Sequence, residues 1–120
     1  MPFVQFWNVP SDTPLDVLET LKNQLKAEIG NTFHKYAENI GPDAVTVNFP
    51  ADQLPVPDGS HEDVWGEVES GLFTKMNDEN IAAMMDRVAA LVFTVLGQSR
   101  FVEVFPRTLQ MKLAGHRRPA

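Results

Sequence analysis

The sequence contains no cysteine, which excludes disulfides, thiolate metal sites and thiol nucleophiles. Its three histidines, His34, His61 and His116, have no ligand-like spacing, so no metal and no other cofactor is expected. Long apolar runs are lacking as well. The longest candidate, Ile81 to Leu96, is interrupted by Asp86 and Arg87, and the N-terminus lacks the basic, apolar, small-residue order of a signal peptide. No membrane association is expected, and a cytoplasmic location is the default. Cations are scarce, 10 Lys and Arg against 16 Asp and Glu, for a net charge of -6. They are also unevenly placed: residues 1 to 99 sum to -10, whereas Arg100, Arg107, Lys112, Arg117 and Arg118 against Glu103 give the last 21 residues +4. An acidic body lacks the broad basic footprint that displaces counterions from phosphates, so nucleic acid is not an expected partner.

What is present suits one domain of 120 residues, 43% hydrophobic and 22% charged, large enough for a real core. Phe3 to Val9 is β-branched and aromatic and is stopped by Pro10-Ser11-Asp12, which reads as a first strand. Thr13 is placed to cap a helix with Pro14 in its first turn, and Leu15, Leu18, Leu21, Leu25 and Ile29 recur down one face. Gly30-Asn31 is a plausible stop, yet Phe33, Tyr36 and Ile40 keep the period until Gly41-Pro42. A kinked extension and a second short helix are both open. Ala44 to Phe49 alternates as a strand closed by Pro50, residues 51 to 63 read as a loop, and Val64 to Phe73 is extended, with Gly66 and Gly71 marking bulges or close backbone approach. Asn77 caps a second helix whose apolar face includes Ile81, Met84, Met85, Val88, Leu91, Val92 and Val95, ending at Gly97. Phe101 to Phe105 is a last strand, closed by Pro106.

The order strand, helix, strand thus occurs twice, in units 1–50 and 64–106 with a tail at 107–120, and the two copies echo each other. Right-handed crossovers give an α+β fold: duplicated β-α-β units, a four-stranded sheet, and two helices on one face. Phe3, Phe6, Trp7, Val45, Val47, Val68, Leu72, Val102 and Val104 are too many for one side of that sheet, so a partner subunit is expected to cover the other.

Met1-Pro2 directly before the first strand is the sharpest chemical clue. Methionine before proline is normally removed, which leaves a secondary amine. An α-amino group titrates near about 8, and burial or nearby cations lower that value, giving a base poised for proton transfer in an enol or ketone. With Met1 retained, the Pro2 nitrogen is an amide and no base. Met1-Pro2-Phe3-Val4 together with the two β-α-β units resembles the tautomerase superfamily, which includes macrophage migration inhibitory factor and the oxalocrotonate tautomerases. The resemblance covers nearly the whole chain. It implies a homotrimer with sheets wrapped into an inner barrel, a site at each subunit boundary around Pro2, and a small 2-oxo acid or enol carboxylate as substrate.

The supporting residues depart from that pattern. Pro10-Ser11-Asp12-Thr13 carries no cation where oxalocrotonate tautomerases place an arginine, and Lys75 occupies the equivalent loop of the second unit. Lys75 is the first substrate-binding candidate, with Arg107, or Arg100, flanking the last strand as the alternative. The migration-inhibitory branch uses a lysine after the first helix, and His34 and Lys35 lie in that region, with Tyr36 next to them. Phe49, Trp65 and Phe105 are candidates for an apolar wall that lowers the proline's pKa. A hydration or dehalogenation branch needs a water-activating carboxylate, for which Glu103 or Glu67 stands. A non-catalytic member of the same fold, and a ferredoxin-like dimeric barrel of the small monooxygenase type, are the competing readings.

Overall fold

The computed structural model describes residues 2–50, 63–98, 100–110, 115, 117 and 119. The loop expected at 51–63 lies outside the described residues except for Asp63. The elements are β1 (Phe3–Trp7), α1 (Leu15–His34), a 3-10 helix (Pro42–Ala44), β2 (Thr46–Asn48), β3 (Val64–Ser70), a second 3-10 helix (Gly71–Lys75), α2 (Asp78–Val95) and β4 (Val102–Thr108). The sheet order is β2-β1-β3-β4. Each β-α-β unit pairs its strands in parallel, β1 with β2 and β3 with β4, and the units join through antiparallel β1 and β3. That order and those parallel pairs exclude the ferredoxin-like alternative, which needs 4-1-3-2 with antiparallel neighbours.

Strand alternation sorts the apolar residues between the two faces. Val4, Phe6, Val47, Val64 and Val68 are buried against the helices, and α1 and α2 answer with Leu21, Leu25, Ile29, Phe33, Met84, Val88 and Val92. Val102 and Val104 pair with Val64 and Gly66 on this same face. Phe3, Trp7, Trp65 and Phe105 take the other face, where Phe3 and Phe105 are 38% and 48% exposed and Trp7 stacks on Trp65 with ring centroids 4.2 Å apart. Gly66 is the close approach that its sequence context suggested: a Cβ there would lie 2.5 Å from the ring of buried Phe6.

Several boundaries differ from the sequence expectations. Pro14, not Thr13, caps α1; the Thr13 hydroxyl instead donates to the Pro10 carbonyl at 2.6 Å, closing the β1–α1 loop. Helix α1 runs unbroken through Gly30 and Asn31 to His34, because Gly30 serves tertiary packing and not termination. A Cβ on Gly30 would overlap the Pro42 nitrogen and lie 2.6 Å from the Gly41 carbonyl carbon, so the glycine lets the 41–44 turn rest on the helix. Strand β2 is shorter than expected because Pro42 sets a 3-10 turn before it, and β3 gives way at Gly71 to another. Asn77 does cap α2, its side-chain oxygen accepting from the Asn80 N–H at 2.8 Å.

Strand β4 passes through Pro106 to Thr108. The Phe101 carbonyl and the Leu109 N–H bond inward to β3. In a parallel ladder alternate residues bond to the same neighbour, so 103, 105 and 107 face β3 and 102, 104, 106 and 108 face outward. Pro106 therefore lacks only an N–H that no ladder bond uses, which an edge strand tolerates.

Candidate active site

Pro2 lies on the helix side of the sheet, fully buried, immediately before β1. Its carbonyl accepts from the Thr46 N–H at 3.1 Å, anchoring the terminus to β2. The last pair of the β1–β3 ladder is Phe3 with Glu69, so Pro2 comes opposite Ser70. Ser70 lines an open cleft of ≈ 750 Å³, which lies within the roughly 300–1,000 Å³ usual for small-molecule sites.

Three segments build this cleft. The turn after α1 supplies Ala37, Asn39 and Ile40, held by His34, whose Nδ1 donates to the Ile40 carbonyl at 2.9 Å. The 3-10 helix after β3 supplies Leu72 and Thr74. The Ser70 hydroxyl oxygen accepts from the Leu72 N–H at 3.1 Å, and the Thr74 hydroxyl donates to the Gly71 carbonyl at 2.9 Å. The third wall follows β4, from Thr108 to Gln110, fixed by the Leu109 N–H to the Ser70 carbonyl at 3.2 Å. Beneath these walls Phe33 meets Phe73 edge to face, centroids 5.4 Å apart, tying the end of α1 to the 3-10 helix. None of the ten lining residues is charged, and Pro2 itself is beside the cleft, not on its surface.

The residues singled out from the sequence divide between the two ends of β1. Lys35 is the exposed cap residue of α1, two positions before Ala37, and Lys75 is exposed next to Thr74, so both flank the cleft. Arg107 shares a row of the sheet with Glu69 and Phe3 on the open face. It is engaged there: Nη1 lies 3.5 Å from Glu67 and 3.7 Å from Glu69. Burial first, then a hydrogen bond with Glu67, push the Glu69 carboxyl above its ordinary range, and Arg107 opposes them. Trp65 and Phe49 belong to the opposite end, Trp65 paired with Trp7 and Phe49 just past β2. Five residues of strand, roughly 16 Å, separate that end from Pro2 within one chain. Glu103, beside Trp65, also stands at the far end, and Glu67 is bound to Arg107.

Sequence reasoning gave too little weight to Arg100. It is only 7% exposed and lines a ≈ 310 Å³ cleft with Asp12 and Thr13 of the β1–α1 loop and Leu96 and Gly97 at the end of α2. The loop that carries no cation of its own thus has one beside it, contributed by the second unit. The available signal was an arginine directly before an apolar strand.

No family model matches the sequence, and no curated protein matches it. Solved structures do. A domain of unknown function from Sebaldella termitidis superposes with a TM-score of 0.61 at 18% identity, over 97% of this chain and 95% of that one. Macrophage migration inhibitory factor from Oncomelania hupensis gives 0.61 at 14%, over 97% and 79%. A member of the cis-3-chloroacrylic acid dehalogenase family gives 0.59 at 13%, over 95% and 79%. The chain has the tautomerase-superfamily fold. This tautomerase-like fold is reached with almost no shared sequence, so the match rests on the paired β-α-β units and on the order of the strands. Among the described residues no helix is long and apolar enough to cross a membrane, and no group of three or more His, Asp or Glu is placed to hold a metal ion.

Proposed function

We propose that the protein, after removal of Met1, is a tautomerase or isomerase that uses the Pro2 secondary amine as general base and then acid on a small 2-oxo acid or enol carboxylate. The observation that carries this reading is the position of Pro2: buried, anchored by Thr46, and opposite Ser70 at the wall of the ≈ 750 Å³ cleft. Low polarity around an amine disfavours its cationic form and brings its pKa down towards neutrality, where one group both takes and returns a proton. Lys35 and Lys75 flank the cleft and are the cations to orient a carboxylate and stabilise developing enolate charge. Arg107 is less suited because Glu67 and Glu69 already engage it. In the proposed homotrimer a neighbouring subunit covers the open face of the sheet and brings the far end of its β1, with Phe49 and Trp65, to the Pro2 end of this chain.

The test is intact-mass analysis followed by turnover of phenylpyruvate and 2-hydroxymuconate. Loss of Met1 and a drop of at least about 100-fold in kcat/KM for Pro2→Ala are expected for removal of a general acid–base. A retained Met1, or full activity in Pro2→Ala, would refute the mechanism. One observation favours a non-catalytic protein of this fold: the cleft's own lining includes no charge. That reading predicts no turnover of any 2-oxo or halogenated acid by protein whose Met1 is absent.

A further inference from the structure

The duplicated β-α-β units build two clefts, one at each end of the β1–β3 pair. The ≈ 750 Å³ cleft lies between the segment after β3 and the turn after α1, and its counterpart, of ≈ 310 Å³, lies between the loop after β1 and the end of α2. Their chemistry differs. Where the first cleft has Pro2 before β1, the second has Asp63 before β3, an internal residue whose carbonyl accepts from the Asn8 side chain at 3.1 Å, so it offers no terminal amine for proton transfer. The lining is uncharged in the first cleft and holds Arg100 and Asp12 in the second.

Burying a guanidinium is costly unless anions or other acceptors compensate it, and Arg100 is only 7% exposed. It already interacts within the chain, but its five N–H donors let it keep that contact and grip a carboxylate as well. Asp12 is exposed at the same cleft, with Thr13 beside it. The Thr13 hydroxyl has its proton on the Pro10 carbonyl at 2.6 Å, which leaves its oxygen as an acceptor. These two acceptors suit an ammonium group. Val17, Val95 and Leu96 add half-buried apolar surface. Both walls are fixed in advance: the Thr13 N–H donates to the Pro10 carbonyl at 3.0 Å, and after Leu96 the Gly97 and Gln98 N–H groups return to the Thr94 and Phe93 carbonyls at 3.1 and 2.8 Å. Such preorganisation lowers the cost of binding. We infer that this second cleft binds a small α-amino acid with an apolar side chain, its carboxylate on Arg100, its ammonium on Asp12 and Thr13, and its side chain on Val17, Val95 and Leu96. A volume at the lower end of the roughly 300–1,000 Å³ usual for small-molecule sites matches so small a ligand. The inference is independent of any catalysis by Pro2.

The test uses L-leucine as probe with the full-length protein at about pH 6.5, below the range in which α-amino groups titrate, and reads amide chemical shifts and titration calorimetry. Saturable shifts are expected at Thr13, Val17, Leu96 and Gly97, and none at Ala37, Ile40 or Thr74 of the Pro2 cleft. Leucinamide, which lacks the carboxylate, and 4-methylpentanoate, which lacks the ammonium, should each bind at least about tenfold more weakly, as for loss of one charged hydrogen-bonded contact. Asp12→Asn, at an exposed position, should weaken leucine to a similar extent and leave 4-methylpentanoate unchanged or bound more tightly. Arg100→Gln should weaken leucine and 4-methylpentanoate but not leucinamide; if burial of that residue prevents the variant from folding, Asp12→Asn and the ligand series decide on folded protein. No saturable shift with leucine, shifts confined to the Pro2 cleft, equal affinity for the three ligands, or undiminished leucine binding by Asp12→Asn would each overturn the inference.

Discussion

Gly30→Ala is the substitution for which helix propensity and tertiary structure give opposite signs. Gly30 lies inside α1, four residues from its end at His34, where alanine ordinarily stabilises a helix by about 1 kcal/mol. The added methyl, however, would overlap the Pro42 nitrogen and stand 2.5 Å from the Pro42 Cα and 2.6 Å from the Gly41 carbonyl carbon. Ordinary carbon contacts lie at about 3.5–4.0 Å, so helix and turn must separate by roughly 1 Å. The obstacle is backbone on both sides, which a rotamer change does not relieve. Overpacking costs about 1–3 kcal/mol where side chains can adjust, and a backbone clash belongs at the upper end or above. Setting about 3 against the gain of about 1 leaves a net loss near 2 kcal/mol. With a urea m-value of about 1–3 kcal/mol/M, the unfolding midpoint should fall by roughly 1 M. Gly41→Ala is the matched control: its extended backbone (φ -144°) suits any residue and a Cβ there meets nothing within 4 Å, so the midpoint should hold or rise slightly. An unchanged or raised midpoint for Gly30→Ala would refute the account of why α1 passes through this glycine. Because the 41–44 turn follows the cleft wall formed by Ala37, Asn39 and Ile40, the variant should also weaken ligand binding at the cleft.

Asn77→Ala removes the 2.8 Å bond that caps α2 and should cost about 1 kcal/mol, read as a fall of a few degrees in Tm; no change would mean that the cap contributes nothing in this context. Glu69 binds its proton more tightly in the fold than in the unfolded chain, through burial and the Glu67 hydrogen bond. Its contribution is fully present below the ordinary value of 4.5 and is lost as pH rises through the raised folded value. Glu69→Gln should therefore gain stability relative to wild type between acid and neutral pH, and urea midpoints that keep a constant offset across that range would contradict the burial argument.

Much of the architecture was legible because it follows from local pattern. Thr46, Val47 and Asn48 alternate, α1 and α2 keep a helical period, and Asn77 and Gly97 punctuate α2 as their chemistry requires. The errors arose where a residue answers to a distant one. Gly30 reads as a stop until Pro42 is seen against it, and Thr13 reads as a cap until its hydroxyl is found on Pro10. Pro106 reads as a terminator, a rule that fails only for an edge strand and only at the outward-facing parity, neither of which precedes knowledge of the sheet order.

The site shows the same division more strongly. Pro2 could be proposed from the sequence because the chemistry in question, the secondary amine that removal of Met1 would leave, belongs to the residue itself. The cations around it could not, since what an arginine can do depends on which carboxylates the register sets beside it. Arg107 seemed available from the sequence, but β4 aligns it with Glu69, and Glu67 stands two residues away on the same face, so two acids hold it. Arg100 seemed a flank of the last strand, but the fold brings it to the loop that lacks a cation. The excess of acid in residues 1 to 99 divides likewise: Glu67 and Glu69 are matched within the sheet by Arg107 and Glu28 is matched between the helices by Arg87, while Asp78 and Asp86 line a groove beside α2 whose lining offers no lysine or arginine.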